Sequence, residues 1–99
     1  MNRAGESPLE FTQRQGQYLA FIDAYTLVNG RPPAQADMQR FFSVTSPTVH
    51  QMLLTLEKAG LISRKPGVAR SVTVLVNRDH LPRLDSAEDQ TVKSTGTRY

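Results

Sequence analysis

His50, Gln51, Leu54 and Lys58 follow one another at spacings of one, three and four residues, the repeat that gathers side chains on one face of an α-helix. Their chemistry suits the edge of a base pair. A glutamine amide can make two hydrogen bonds to adenine N6 and N7, a histidine can donate to a guanine acceptor, and a leucine can touch a thymine methyl. Thr48 and Thr55 stand at the margins of the same face, and Thr45 and Ser46 precede it with hydroxyls that suit a phosphate oxygen. Each residue also has a plainer use: His50 and Gln51 as exposed polar surface, Thr45 and Ser46 as helix caps, and Leu54 as part of a protein interface.

Downstream, Lys58, Arg64, Lys65, Arg70 and Arg78 follow one another with no Asp or Glu between them, in a chain whose net charge is only +3. A local excess of this kind is an electrostatic footprint for phosphate, and a solvated basic surface is its alternative.

Other chemistries are poorly served. There is no cysteine, so a disulfide framework, a thiolate zinc site and a cysteine nucleophile are excluded. His50 and His80 fall in unlike elements without HxxxH or HExxH spacing, and no metal or other cofactor is implied. No glycine-rich nucleotide loop, Ser-x-x-Lys or Gly-x-Ser-x-Gly pattern offers a catalytic centre, so an enzyme is not indicated. No apolar run approaches the roughly 18 to 20 residues of a membrane span, and the N-terminus has no hydrophobic signal core. The expectation is a soluble, cytoplasmic protein with no membrane partner and no evident small-molecule ligand.

The elements that must position these residues are legible from local signals. Residues 1–10 read as a flexible arm. Thr12 with Gln15 fits a capping box, and Tyr18, Phe21, Ile22, Tyr25 and Val28 recur at helical spacing until Asn29-Gly30 and Pro32-Pro33 stop them, predicting a helix over Gln13 to Asn29. A shorter helix fits Gln35 to Phe42, with Met38 and Phe42 inward, Asp37 in its first turn and a poor cap in Ala34. Ser46-Pro47, read as N-cap and N1, opens a third helix whose inward stripe is Val49, Met52, Leu53 and Leu56 and whose stop is Gly60.

The period then changes. Leu61 to Arg64 and Ser71 to Val76 read as strands joined by a turn over Lys65 to Arg70 that contains Pro66-Gly67. Leu81 and Leu84 are placed to lie back on the domain, and residues 85–99 read as a disordered tail. The predicted fold is mainly α with a small β-hairpin: a winged helix-turn-helix over residues 11–84, three helices plus a two-stranded wing.

At this point the sequence resembles the DNA-binding domains of the LexA repressor family, along roughly Phe11 to Leu75. The resemblance rests on Thr12 with Arg14-Gln15, Asn29-Gly30-Arg31-Pro32-Pro33, Ser46-Pro47, Leu53 with Leu56, Ala59-Gly60-Leu61-Ile62, and Gly67-Val68-Ala69-Arg70. The Leu56 to Ile62 run is shared by winged-helix regulators at large, MarR-like ones included, and supports the superfamily only. Departures are a third helix about one residue shorter, Ala34 in place of a hydroxyl cap, and Ser43 where a glycine often relaxes the turn between helices. The Ser-Lys self-cleavage dyad of the family's second domain has no counterpart in these residues, so autoproteolysis is not expected of them.

The modest area that a single module buries on DNA predicts a homodimer or a monomer helped by a second protein. The resemblance implies double-stranded DNA as partner and a bacterial or phage-like regulator, associated with the nucleoid. The outward face of the third helix suits the major groove through Thr48, His50, Gln51, Leu54, Thr55 and Lys58, with Thr45 and Ser46 on phosphate; the resemblance itself carries over no contact positions in the second half of this shorter helix. The resemblance assigns the wing, with Arg64, Lys65 and Arg70, to the backbone or minor groove, and Arg70 is the first choice for insertion because arginine suits a narrow minor groove. The rival reading is a winged helix that docks a protein through an apolar patch of Phe41 and Leu54.

Overall fold

The computed structural model describes residues 10–90. Residues 1–9 of the expected arm (1–10) and residues 91–99 of the expected tail (85–99) lie outside the described residues.

Helix α1 (Gln13–Asn29) starts on the capping box read from the sequence: Thr12 Oγ1 accepts from Gln15 N at 3.0 Å and Gln15 Oε1 accepts from Thr12 N at 2.9 Å. It ends on Gly30, whose φ of 76° is the left-handed stop that glycine supplies without steric cost. Tyr18, Leu19, Phe21 and Ile22 are buried, but Val28 is 80% exposed and Leu27 67% exposed. Val28 thus departs from the inward stripe expected of it, because the last turn of α1 outruns the elements it packs on.

Helix α2 (Gln35–Phe42) buries Met38 and Phe42, and Phe42 stacks on Tyr18 with ring centroids 4.0 Å apart. Phe41 is half-buried as well, stacked on Phe21 at 4.5 Å. The chain then reverses at Ser43, a serine held at φ 56°, and Val44 anchors the turn against the core.

Helix α3 (Ser46–Lys58) buries Val49, Leu53 and Leu56, with Met52 at the edge of the core. Its N-cap is Thr45 rather than Ser46, so Ser46 and Pro47 form the first turn. No side chain caps it: Thr45 Oγ1 instead meets Thr48 Oγ1 at 3.0 Å.

The wing is smaller than its alternating residues suggest. Strands β1 (Ile62–Ser63) and β2 (Thr73–Val74) pair antiparallel, Ile62 opposite Val74 and Ser63 opposite Thr73. Beyond them the side chain of Ser71 replaces the ladder, its Oγ accepting from Lys65 N at 2.9 Å and donating to Val68 O at 2.8 Å. Leu61, Ile62, Val72 and Val76 enter the core, so the hairpin is fastened to the helices by side chains from both of its arms.

The chain returns across α1. Leu81 and Leu84 pack on the core as expected, but the segment after them does not match a disordered tail as far as it is described. Gln17, buried in α1, donates to Arg83 O at 2.9 Å and accepts from Asp85 N at 2.8 Å and from Gln90 Nε2. Ser86 Oγ accepts from Asp89 N at 3.1 Å, and a helical turn begins at Ala87. Polar composition did not prevent order here, because a buried amide supplies what apolar area would otherwise have to. No helix among the described residues is long and apolar enough to cross a membrane.

Candidate nucleic-acid interface

Burial of Val49, Leu53 and Leu56 turns the opposite face of α3 to solvent. Thr45, Ser46, Thr48, His50, Gln51, Leu54, Thr55 and Lys58 are all exposed, Leu54 at 40%. At about 100° per residue Gln51, Leu54 and Lys58 hold the centre of that face. Thr55 is partly committed: its hydroxyl donates to Gln51 O at 3.0 Å, one turn back on its own helix.

His50 sits on the flank of α3 that faces the wing. Together with Leu53, Glu57, the start of α2 and residues 64–72 it lines a groove of about 640 Å³. The structure therefore brings His50 together with Arg64 and Lys65, while Gln51, Leu54 and Lys58 project outward beside them.

The basic run is largely neutralised by carboxylates from elsewhere in the chain. Arg64 Nη2 meets Glu57 Oε1 at 3.1 Å, Arg70 Nη1 meets Asp37 Oδ2 at 3.1 Å, and Arg78 Nε meets Asp23 Oδ2 at 3.0 Å. Among the described residues only Lys58 and Lys65 of that run have no ion pair. Glu57 stands immediately before Lys58, just outside the run in which no acidic residue occurs. Its place on the wing side of α3 follows from its helical offset from His50, which is the signal that could have found it.

Arg70, expected to insert into a minor groove, has its guanidinium engaged by groups of its own chain, with the side chain 32% exposed. Arg70 Nη1 lies 3.0 Å from Tyr25 Oη, 3.2 Å from Pro32 O and 3.1 Å from Asp37 Oδ2. Arg70 is also held at φ 54°, a left-handed backbone that a residue other than glycine adopts rarely. Asp37 is prepared to receive it. Standing three residues after the cap position that Ala34 leaves without a side-chain acceptor, Asp37 Oδ2 accepts from Ala34 N at 2.8 Å and Oδ1 from Arg40 at 2.6 Å. The Ala34 N–H first, then Arg70, Arg40 and the Tyr25 hydroxyl, hold the Asp37 carboxyl below its ordinary pKa against the opposing effect of burial. Its partners in turn, the Tyr25 hydroxyl foremost, raise the pKa of Arg70 further above the usual arginine value.

Comparison with known proteins places this geometry. The family model for the LexA DNA binding domain matches residues 8–71. The chain belongs to that family. The match takes in α1, α2, α3, β1 and the wing loop, and ends before β2 and the segment that crosses α1. Among individual relatives, the LexA repressor of Petrotoga mobilis (strain DSM 10674 / SJ95) is 40% identical over 67 residues, 67% of this chain and 32% of its own length. That of Thermosipho africanus (strain TCF52B) is 38% identical over 66 residues, 67% of this chain and 33% of its own length. That of Thermotoga petrophila is 37% identical over 65 residues, 66% of this chain and 33% of its own length. The chain thus spans about a third of the length of the LexA repressors it matches. The winged helix-turn-helix, with three helices and a two-stranded antiparallel wing, agrees with membership of the LexA DNA-binding domain family.

Proposed function

We propose that this protein is a sequence-specific DNA-binding transcriptional regulator whose α3 enters the major groove. The observation that carries the reading is the division of α3 into two faces: Val49, Leu53 and Leu56 closed into the core, and Gln51, Leu54 and Lys58 outward, with His50 beside them. The family description supports the choice of DNA, and the name LexA repressor borne by its relatives supports repression by occlusion of a promoter.

In this reading Gln51 pairs with adenine, His50 donates to guanine and Leu54 meets a thymine methyl, with Thr48 and Thr55 at the margins. Thr45, Ser46 and the open N–H groups of the first turn hold phosphate, an arrangement favoured by the absence of a side-chain cap on α3. Lys58 and Lys65 supply the unpaired positive charge, and Arg64 contributes from its pair with Glu57. A single module of this size buries only about 600 to 1,000 Å² on DNA, which favours a homodimer on a two-part site. The activity is binding and not catalysis, and its place is the bacterial nucleoid. Docking of a protein through Phe41 and Leu54 is less well supported, since the ring of Phe41 is spent on Phe21.

The test is a salt titration of binding to a random-sequence duplex pool, with sequencing of the fraction retained at moderate salt. A falling log-affinity with log salt together with an enriched motif supports the reading. Absence of binding even at low salt overturns it.

A further inference from the structure

The charge on Arg70 is met by groups of its own chain, although the residue belongs to the wing loop and its side chain is 32% exposed. Three segments converge on one guanidinium nitrogen: α1 through Tyr25 Oη, the α1–α2 turn through Pro32 O, and α2 through Asp37 Oδ2. The guanidinium carbon also lies 5.9 Å from the centre of the Tyr25 ring. Asp37 is a firm anchor, because its side chain is only 11% exposed and both of its oxygens already accept hydrogen bonds from α2 and its cap.

The wing needs such an anchor. Its ladder holds two residue pairs, far too little to fix a hairpin by itself. The loop of residues 65–70 is closed at its base by Ser71, which accepts from Lys65 N and donates to Val68 O. Closing the loop gives it a shape, and the base of the hairpin is fastened to the helices by the buried side chains of Leu61, Ile62, Val72 and Val76 and by the Arg64–Glu57 pair. The C-terminal end of the loop has its own tie, where Arg70 joins it to α2 across the groove that His50 and Lys65 also line.

We propose that Tyr25, Asp37 and Arg70 form a latch that sets the angle of the wing against α3, so that Arg70 is a positioning residue which decides where Lys65 meets DNA. The proposal rests on the DNA-binding reading for its consequence, but the latch itself can be tested without DNA. It makes an unusual demand on electrostatics. Asp37→Asn removes a negative charge from a domain that binds a polyanion. If Arg70 were a phosphate contact restrained by Asp37, this change would free it, tighten binding and steepen the salt dependence by about one phosphate, a slope change near −0.9. The latch requires weaker binding instead, with the slope unchanged.

The experiment measures affinity and salt slope on the enriched duplex for the wild type, Asp37→Asn, Tyr25→Phe, Arg70→Ala and the Tyr25→Phe/Arg70→Ala pair. Amide exchange of residues 64–72 is followed in parallel without DNA. Tyr25→Phe removes one oxygen, so it keeps the test open should Asp37→Asn unfold α2. The latch predicts that each single variant binds about three- to tenfold more weakly with the slope unchanged, a loss on the scale of one hydrogen bond. It also predicts that Tyr25→Phe costs nothing further once Arg70 is Ala, and that the wing amides exchange faster in every variant. Tighter binding by Asp37→Asn, or a slope shallower by about one in Arg70→Ala with wing exchange unchanged, overturns the latch and restores Arg70 as a DNA contact. If the wild type binds no DNA at any salt, the DNA-binding reading falls, and wing exchange alone decides the latch.

Discussion

Gln17 and Gln90 meet in the interior, Gln90 Nε2 donating to Gln17 Oε1, although one belongs to the first helix and the other to the end of the described chain. Gln17 also holds Arg83 O and Asp85 N, so a single buried side chain fastens the returning segment to α1. Gln17→Ala removes three hydrogen bonds, to Arg83 O, Asp85 N and Gln90 Nε2, at a partly buried place and should cost about 1–3 kcal/mol. Urea unfolding measures the loss, and the neighbouring Gln13→Ala, at an exposed position, should stay within about 0.5 kcal/mol of wild type. Equal effects from the two substitutions would contradict the fastening role of Gln17.

Gly16 lies under the same segment. A Cβ there would stand 2.9 Å from Pro82 Cγ and 3.0 Å from Phe11 Cε1, closer than side chains tolerate. At an open helical site Gly→Ala gains about 1 kcal/mol. Gly16→Ala should forfeit that gain, and Gly16→Val should lower the urea midpoint below wild type by forcing Pro82 away. Full stabilisation by alanine would show that Pro82 does not close over this helix.

The Asp37 carboxyl makes stability depend on acid. Its pKa is lower folded than unfolded, so its contribution is complete above the unfolded value of about 3.9 and is lost as pH falls below that through the folded value. Wild type should therefore lose more stability between neutral pH and about pH 3 than Asp37→Asn does. Urea midpoints of the two proteins at both pH values make the comparison, and parallel curves would deny Asp37 its charged role.

The helices were legible because their starts and stops are local. Thr12 with Gln15, Asn29-Gly30 and the Ser46-Pro47 turn each announce a boundary within a few residues, and α1 and the start of α3 follow them. A periodic stripe, however, says nothing of where its partner ends, and so Val28 was expected inside. The charge of the wing was harder still. A run free of acidic residues in sequence need not be free of them in space, and Arg64, Arg70 and Arg78 find Glu57, Asp37 and Asp23 in other elements. Arg70 lies 33 residues from Asp37, a distance no local pattern bridges. The one hint was Asp37 itself, a carboxylate three residues into a helix whose cap position is alanine. The order of residues 85–90 was equally hidden, because it depends on a glutamine that α1 buries.

The outward face of α3 bears the central claim, and Gln51 is its sharpest point. Binding of wild type and Gln51→Ala should be compared on the enriched duplex and on its full set of single-base-pair variants at fixed salt. The account predicts that Gln51→Ala relaxes preference at one base pair, by about 1–3 kcal/mol, and leaves the other positions as they were. An equal loss on every duplex would mean that Gln51 reads no base and that α3 does not lie in the major groove as described.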